Sequence, residues 1–114
     1  MISFACQNID LQDIITCSFE LNKTEYELLL FLLQQQQSLT VHDIAKKRGL
    51  ERSTVQKAIS QLLQKALVER RQMNLSSGGY RFLYGVHDKD DMKQRLMSIV
   101  DGWHENVTKV IKHW

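Results

Sequence analysis

Hydrophobic residues along this chain recur mostly three or four positions apart, which is the spacing of one helix face. This spacing predicts a first helix over residues 10–18 and a second helix over residues 23–36. Asn22 and Glu25 stand where a reciprocal capping box begins the second helix. The unbroken apolar run over residues 28–33 leaves that helix almost without a polar side. We therefore expect other parts of the protein to cover it on more than one side.

Two further helices are predicted on either side of Gly49. Residues 41–48 form the shorter helix, with Thr40 as its N-cap, and residues 52–65 form the longer one. Glycine adopts the left-handed conformation that ends a helix, so the chain can turn sharply at Gly49. Two short helices joined in this way make a helix-turn-helix. The inward side of the longer helix consists of Val55, Ala58, Ile59, Leu62 and Leu63.

After Leu67 the hydrophobic period changes from helical to alternating. Residues 68–75 and 80–86 are predicted strands, and the intervening Ser-Ser-Gly-Gly at 76–79 suits a hairpin turn because glycine tolerates positive φ. The second strand alternates as a half-buried strand does. Its first face consists of Tyr80, Phe82, Tyr84 and Val86. A hairpin that directly follows a helix-turn-helix makes a winged helix.

A long last helix is predicted over residues 88–114, with Asp88 and Asp91 capping its start. Its apolar residues follow a spacing close to a heptad. They form a seam that consists of Met92, Leu96, Ile99, Trp103, Val107, Val110 and Trp114. Gly102 interrupts the helix at a cost of about 0.5–1 kcal/mol relative to alanine, either to permit close helix contact or as a weak point.

The length of this helix indicates a second copy of the chain. At 1.5 Å per residue it extends for about 35 Å, which is more than one small domain can cover. We therefore expect the seam, together with excess apolar surface from residues 28–33, to form a homodimer interface. The alternative is a helix that folds back over its own core.

These elements predict a mainly α protein with a small β-hairpin, arranged as a winged helix-turn-helix with a long C-terminal dimerisation helix. A chain of 114 residues is long enough for one core, so we expect a single winged-helix domain. Residues 22–87 are its core, residues 88–114 the C-terminal dimerisation helix and residues 1–21 an N-terminal helical extension.

The positive charge is concentrated in one part of the chain. The net charge is +2, but residues 1–45 carry −5, residues 46–71 carry +6 and residues 72–114 carry +1. The basic segment contains the turn of the helix-turn-helix and its second helix. Such a concentration indicates a polyanionic partner, and the alternative is a basic face that meets only solvent.

The sequence does not predict a membrane or secreted protein. The longest apolar run is far shorter than the roughly 20 residues of a membrane-spanning helix. The first ten residues lack the basic and apolar regions of a signal peptide, so we expect a cytoplasmic protein with no membrane partner. Cys6 and Cys17 are then expected to be free thiols, either buried and inert or acting as a redox trigger.

The remaining reactive residues form no pattern of a metal or catalytic site. The histidines lack metal-ligand spacing, and there is no CxxC pair. They are His42, His87, His104 and His113. No glycine-rich phosphate loop, paired-carboxylate site or nucleophile with a base stands out. We therefore predict no metal, no cofactor and no enzymatic activity, and the pattern identifies no small-molecule effector.

The order of these segments resembles a known group of proteins. A helix is followed by "TVHDIAKKRGLERSTVQKAISQLLQKALVERR", by "SSGGYRFLYGV" and by a long terminal helix. This order is similar to that of winged-helix transcription regulators of the MarR and archaeal TrmB-like groups, over about residues 23–86. "RSTVQKAISQL" and "ALVER" are its most specific parts. The chain lacks a counterpart of the C-terminal sugar-binding domain of full-length TrmB-like regulators, so sugar sensing is not carried over.

The resemblance implies a mode of DNA binding. In such families the helix that carries "RSTVQK" lies in the major groove, the wing approaches the minor groove and the terminal helices form a homodimer. By this analogy, double-stranded DNA and a second copy of the chain are the expected partners.

The outward side of the predicted helix over residues 52–65 carries residue types suited to DNA recognition. Arg52 and Gln56 are the candidates for reading bases, since arginine can fork onto guanine O6 and N7 and glutamine onto adenine N6 and N7. The candidates for phosphate contact are Ser53, Thr54, Lys57 and Ser60. Thr54 is equally well interpreted as a local helix cap.

Further DNA contacts are expected outside that helix. Thr40 can present the N-terminus of its helix to a phosphate. Arg71, Asn74 and Arg81 lie in the predicted wing, where a cation can enter a narrow and strongly negative minor groove. The alternative function is a winged-helix subunit that binds protein within a larger assembly. That alternative predicts an uncharged or apolar outer face on this helix, whereas Arg52, Gln56 and Lys57 favour DNA.

Overall fold

The computed structural model describes residues 2–4, 7–86 and 88–114, and of Phe4 only the backbone. The elements in chain order are β1 (Ile2–Phe4), β2 (Gln7–Ile9), α1 (Leu11–Phe19), α2 (Lys23–Leu33), α3 (Val41–Arg48), α4 (Arg52–Gln64), β3 (Glu69–Asn74), β4 (Tyr80–Gly85) and α5 (Lys89–Lys112). They divide into two compact units, one of Leu21–His87 and one of Met1–Glu20 with Asp88–Trp114.

In the unit Leu21–His87, α2 begins as its sequence predicts. The Asn22 side chain accepts a hydrogen bond from the Glu25 backbone N–H at 2.8 Å, and the Glu25 carboxylate accepts one from the Asn22 N–H at 3.2 Å. The helix ends at Leu33, earlier than the predicted Gln36. Its last turn is tighter than an α-helix, since the Gln35 N–H bonds to the carbonyl of the residue three positions before it.

The chain itself covers most of the apolar run of α2. Leu28, Leu29 and Leu32 are buried, so the expectation that a second copy covers this surface is wrong for these three residues. The others are half-buried, and the guanidinium of Arg48 lies 5.6 Å from the centre of the Phe31 ring. An apolar helix of this kind is typical of the centre of a small core.

The turn between α3 and α4 depends on the conformation of the glycine at its centre. Gly49 has a φ of 65°, and its N–H donates to the carbonyl of Ala45. The Leu50 N–H donates to the same carbonyl at 3.0 Å. At the other end of α3, the Thr40 hydroxyl accepts from the Asp43 N–H at 3.0 Å, which confirms it as the N-cap. The helix-turn-helix therefore forms from local hydrogen bonds that the sequence predicts.

The last turn of α4 reverses the chain into the wing. Ala66 has a φ of 57°, in the left-handed region, and its N–H donates to the carbonyl of Leu63 at 2.9 Å. The Leu67 N–H donates to the carbonyl of Leu62 at 2.9 Å. These two bonds define a Schellman motif, in which alanine occupies the position that glycine prefers. Leu67 and Val68, which follow it, are buried.

The wing is the antiparallel pair of β3 and β4, in which Asn74 pairs with Tyr80 and Glu69 with Gly85. Beside β4, Leu39 forms a bridge, since its N–H donates to the Tyr84 carbonyl at 2.9 Å and its carbonyl accepts from the Tyr84 N–H at 2.7 Å. Tyr84 is buried, but Tyr80 is 57% exposed. The predicted burial of that strand face is therefore wrong at Tyr80, which belongs to the part of the wing beyond the core.

The other unit begins with an element that the sequence pattern does not predict. Residues 1–21 are expected to be helical, but β1 and β2 form a short antiparallel hairpin in which Ile2 pairs with Ile9. The Ser3 hydroxyl donates to the Asn8 side-chain oxygen at 2.9 Å across this pair. The helix α1 follows, and Asp10 and Asp13 form its capping box.

In the same unit, α5 begins at the Asp88 cap, whose side chain accepts from the Asp90 N–H at 2.9 Å. The predicted second cap, Asp91, lies in the first turn of the helix. Ile15 and Phe19 of α1 are buried, and the guanidinium of Arg95 lies 5.2 Å from the centre of the Phe19 ring. The observed architecture confirms the mainly α winged-helix fold with a long C-terminal helix.

Candidate nucleic-acid interface

The candidate recognition surface is the outward side of α4. Val55, Ile59 and Leu62 are completely buried on the inward side, and Ala58 is 4% exposed. Successive helix residues are about 100° apart, so the residues between them point away from the core. All six predicted contact residues of this helix are exposed, namely Arg52, Ser53, Thr54, Gln56, Lys57 and Ser60. The helix therefore presents cationic, amide and hydroxyl side chains to solvent, while its inward residues Val55, Ala58, Ile59 and Leu62 are packed in the core.

The first turn of α4 lacks an internal cap. Glu51 occupies the N-cap position but makes no side-chain cap hydrogen bond. The hydroxyl of Thr54 makes no hydrogen bond with the described residues, so the local cap that the sequence leaves open for it does not form. The first backbone N–H groups of the helix thus remain available at the positive end of its dipole, beside Arg52.

Two of the candidate residues contact each other. The Ser60 hydroxyl donates to the backbone carbonyl of Gln56 at 2.8 Å, and the Gln56 side-chain amide donates to the Ser60 oxygen at 3.5 Å. The serine proton is therefore already used within the helix. Gln56 keeps its side-chain oxygen and an amide N–H for other partners. This arrangement favours Gln56 over Ser60 as a group that contacts a ligand directly.

Thr40 lies at the N-terminus of α3 and is half-buried. Its hydroxyl oxygen accepts the cap hydrogen bond from Asp43, which leaves the hydroxyl proton to donate elsewhere. Thr40 therefore combines a cap with one free donor at the positive end of a helix dipole.

The wing places its predicted contact residues on two faces. Directly paired residues of an antiparallel hairpin share a face, and Arg71 pairs with Leu83 while Met73 pairs with Arg81. The side chains of Arg71 and Arg81 thus lie on one face. Asn74 lies on the other face, where its side-chain oxygen accepts from the Gln72 amide at 3.2 Å.

Sequence reasoning missed one cation of the wing. Arg70 is exposed, and its guanidinium carbon lies 4.4 Å from the centre of the Phe82 ring. Arg70 pairs with Tyr84, so Phe82 is its diagonal neighbour on the same face, within reach of a long side chain. The strand register that pairs residue 70 with residue 84 brings this arginine and this ring together, and the sequence pattern alone does not give that register.

A buried carboxylate connects two helices of the same unit. Glu25 is buried, and its carboxylate lies 3.8 Å from the Lys65 ammonium at the end of α4. The Asn22 side-chain amide also donates to this carboxylate, at 3.0 Å. Burial is tolerable because charge and hydrogen-bond partners compensate it. The contact connects the start of α2 with the end of the candidate recognition helix.

A second candidate surface lies on α5. Of its predicted seam, Trp103 is 56% exposed and Val110 is 72% exposed. Ile99 and Trp114 are also exposed, whereas Leu96 and Val107 are half-buried. Met92 is buried by the chain itself and offers little surface to a partner. Three further apolar residues widen the exposed face, namely Met97, Val100 and Ile111.

The structure also bears on the predictions about other chemistry. Among residues 2–4, 7–86 and 88–114, no group of three or more histidine, cysteine or acidic side chains is placed to hold a metal ion. In the same residues, no helix combines the length and apolarity needed to cross a membrane. Cys17 is a free and exposed thiol, so the expectation of a buried one is wrong for it. Cys6 and His87 lie outside the described residues.

Solved structures of similar fold define the class of protein. A possible transcriptional regulator from Methanosarcina mazei Go1 is similar over 100% of this chain and 96% of its own, with a TM-score of 0.90 and 29% sequence identity. The S. aureus protein MepR, in a mutant form bound to an oligodeoxyribonucleotide, is similar over 86% of this chain and 71% of its own, with a TM-score of 0.56 and 23% identity. The fold is that of winged-helix transcriptional regulators.

The family follows from the sequence match. Residues 16–90 match the model of the family described as "Sugar-specific transcriptional regulator TrmB". The chain belongs to the TrmB family of transcriptional regulators, which confirms the resemblance noted in its sequence. An uncharacterised protein of Methanocaldococcus jannaschii is 25% identical over 112 residues, which are 98% of this chain and 84% of that protein.

Proposed function

We propose that the protein is a sequence-specific regulator that binds double-stranded DNA as a homodimer, with α4 in the major groove and the wing near the minor groove. The observation that supports this most strongly is the division of α4. Val55, Ala58, Ile59 and Leu62 are buried to 4% exposure or less, and Leu63, also predicted to face inward, is half-buried. All six candidate contact residues of the helix are exposed. A rigid helix with a basic and amide-bearing outer side fits the width of the major groove.

Within this proposal, Arg52 and Gln56 read base edges. Both side chains are exposed on α4, and both residue types have bidentate partners in the major groove. The remaining contacts go to phosphates and fix the position of the helix. They are assigned to Ser53, Thr54 and Lys57 of α4 and to the N-terminus of α3 at Thr40. Ser60, predicted from the sequence as a further phosphate contact, is not assigned one because its hydroxyl proton is donated to the Gln56 carbonyl.

The wing supplies contacts near the minor groove. Arg71 and Arg81 share one face of the hairpin, and Asn74 projects from the other near its turn. When the tip of a β-hairpin enters a DNA groove, residues on both faces of the hairpin can contact the two phosphate backbones that border the groove. DNA binding by a protein of this fold is supported by the similarity to MepR, which is bound to an oligodeoxyribonucleotide in its structure.

The homodimer is assigned to the exposed apolar face of α5. The contact residues are Leu96, Ile99, Trp103, Val107, Val110 and Trp114, with Met92 at the covered end of the seam. Two copies related by a two-fold axis place their recognition helices in successive major grooves, about 34 Å apart. We therefore expect the binding site to be a pseudo-palindrome with that half-site spacing.

Two variants of α4 test the proposed contacts on a binding site selected from genomic fragments. Arg52→Ala is expected to weaken binding to selected DNA by about 1–3 kcal/mol more than binding to random DNA, because it loses base contacts. Lys57→Ala is expected to weaken binding to both duplexes alike. It should also lower the slope of the logarithm of the binding constant against the logarithm of salt concentration by about one unit. Fluorescence anisotropy titrations at several salt concentrations measure both effects. Equal loss on both duplexes for Arg52→Ala contradicts its assignment.

A further inference from the structure

One face of the wing carries a column of three side chains. The Arg70 guanidinium lies 4.4 Å from the centre of the Phe82 ring, and the Tyr80 ring centre lies 5.2 Å from that of Phe82 at an interplanar angle of 59°. Phe82 is half-buried, whereas Arg70 and Tyr80 are exposed. The column therefore has a fixed ring in the middle and an exposed cation at one end.

Arg70 lies in the first part of the wing, directly after the recognition helix in the chain. Arg70, Arg71 and Glu69 line a depression of about 460 Å³ together with Leu63, which belongs to the last turn of α4. No carboxylate of the described residues forms an ion pair with Arg70. The guanidinium is thus supported by an aromatic face and is not neutralised by any of these residues.

A cation held in this way is suited to bind a phosphate. Stacking on a ring uses the face of the guanidinium and leaves its N–H edges free, and those edges match phosphate oxygens bidentately. The side chain is already restricted in the unbound protein, so less rotamer entropy is lost on binding. A phosphate on the DNA backbone is the partner that this chemistry fits.

The geometry points to Arg70 as a phosphate-binding residue of the wing, and to Phe82 as the residue that positions it. This inference rests on the proposed DNA binding and adds a contact that the sequence pattern does not predict. It also gives the wing a contact that is independent of base sequence, since a phosphate is present at every step of the backbone.

The first test compares Arg70→Ala with Lys93→Ala in the whole 114-residue chain. Lys93 is exposed on α5 and has the same charge, so its removal controls for net charge. Arg70→Ala is expected to weaken binding to selected and random duplexes alike by about tenfold, the effect of one charge-assisted hydrogen-bonded contact. Its salt slope should fall by about 0.9, the contribution of one phosphate contact. Unchanged affinity and slope in Arg70→Ala overturn the assignment.

The second test asks whether Phe82 acts through Arg70. Phe82→Leu keeps an apolar side chain but removes the ring face. It is expected to weaken binding about two- to fivefold, as the loss of an exposed cation–π contact does, and to have no further effect in the Arg70→Ala background. Equal weakening in both backgrounds shows a structural role only and overturns the positioning role. Thermal melting of each variant confirms that it remains folded.

The two proposals fail in different ways. If the wild-type protein binds no duplex at low salt, DNA binding itself is wrong, and the role of Arg70 is wrong with it. If the wild type binds and Lys57→Ala weakens it while Arg70→Ala does not, DNA binding stands and the Arg70 contact is wrong. Arg70→Lys tests the Arg70 contact separately from its charge. Lysine keeps the charge but lacks the planar guanidinium, so this variant should keep the salt slope but lose part of the affinity.

Discussion

The helices α4 and α5 are both amphipathic, but their apolar sides have opposite surroundings. In α4 the apolar side is buried to 4% exposure or less at Val55, Ala58, Ile59 and Leu62. In α5 the corresponding side is mostly exposed, and Trp114, which lies beyond the observed end of the helix at Lys112 and not within it as predicted, is fully exposed. A hydrophobic stripe therefore specifies which side of a helix avoids water, but not what covers that side.

Length explains the difference between the two helices. With 13 residues, α4 extends for about 20 Å, which fits within a small core. With 24 residues, α5 extends for about 36 Å and continues beyond what one small domain covers. The polar side of α4 and the apolar side of α5 are thus two of the surfaces that the described residues leave for partners. The predictions below test this contrast, from the largest expected effect to the smallest.

The largest effect is expected in the buried side of α4. Leu62→Ala leaves a cavity at a completely buried position and should lower the free energy of unfolding by about 2–5 kcal/mol. The matched change in α5, Val110→Ala, removes a side chain that is 72% exposed. In a monomer its cost should be small, about 0.5 kcal/mol or less. Urea unfolding at low protein concentration measures both, and equal losses contradict the contrast.

The next effect concerns the exposed side of α5. Trp103→Lys places a charge in the proposed dimer interface and should weaken dimerisation by about 2 kcal/mol or more, the scale of a hot-spot tryptophan. Light scattering should then report 13.4 kDa at concentrations where the wild type has twice that mass. Glu105→Lys, a change at an exposed residue on the polar side of the helix, should leave the dimer intact. A monomeric wild type contradicts the homodimer and favours a different protein partner.

A smaller effect is expected where α4 ends. Ala66 has a φ of 57°, and an L-residue in the left-handed region is strained by about 1 kcal/mol or more. Ala66→Gly should therefore stabilise the protein by about 0.5–1 kcal/mol. The same change within the helix, Ala58→Gly, should destabilise it, since glycine loses more backbone entropy there. Unfolding free energies measured side by side decide the sign, and a loss in Ala66→Gly contradicts the strain argument.

The smallest effect concerns Gly102 of α5. A Cβ at this position would meet no heavy atom within 4 Å, so Gly102→Ala should stabilise the helix by about 0.5–1 kcal/mol. Gly49 has equally open surroundings but a φ of 65°, so Gly49→Ala should destabilise the protein instead. If Gly102→Ala raises the dimer dissociation constant measured by light scattering, the glycine serves close helix contact in the dimer and is not a weak point.

The sequence predicts the parts of the fold that depend on local hydrogen bonds and on hydrophobic period. The bounds of α3 and the start of α4 follow from Thr40, Gly49 and the apolar spacing. The short N-terminal hairpin does not, because its strands have three residues each and the chain between them lacks a glycine or an Asn-Gly turn signal. Hairpins that depend on neighbouring structure leave little trace in a single sequence.

The candidate site is predictable to a different extent. The exposed side of α4 follows from helix periodicity for Ser53 and Lys57, because a buried Val55 and Ile59 fix where these two residues point. Arg52 lies on the side of Val55 by the same periodicity and is exposed at the first position of the helix. The contacts of the wing do not follow, since they depend on register. The pairing of Arg70 with Tyr84 brings Phe82 beside the arginine, and no count of charges along the chain reveals this.

The bridge between Leu39 and Tyr84 links two parts of the proposed interface through peptide groups alone. Thr40, the N-cap of α3, directly follows Leu39. Leu39 is bound to Tyr84 of β4 by two main-chain hydrogen bonds of 2.9 and 2.7 Å. A substitution at Leu39 or Tyr84 leaves these main-chain hydrogen bonds possible, unless the new residue is proline, which lacks the N–H. Side chains of the proposed interface can therefore be substituted while the wing and the N-terminus of α3 keep the same mutual placement.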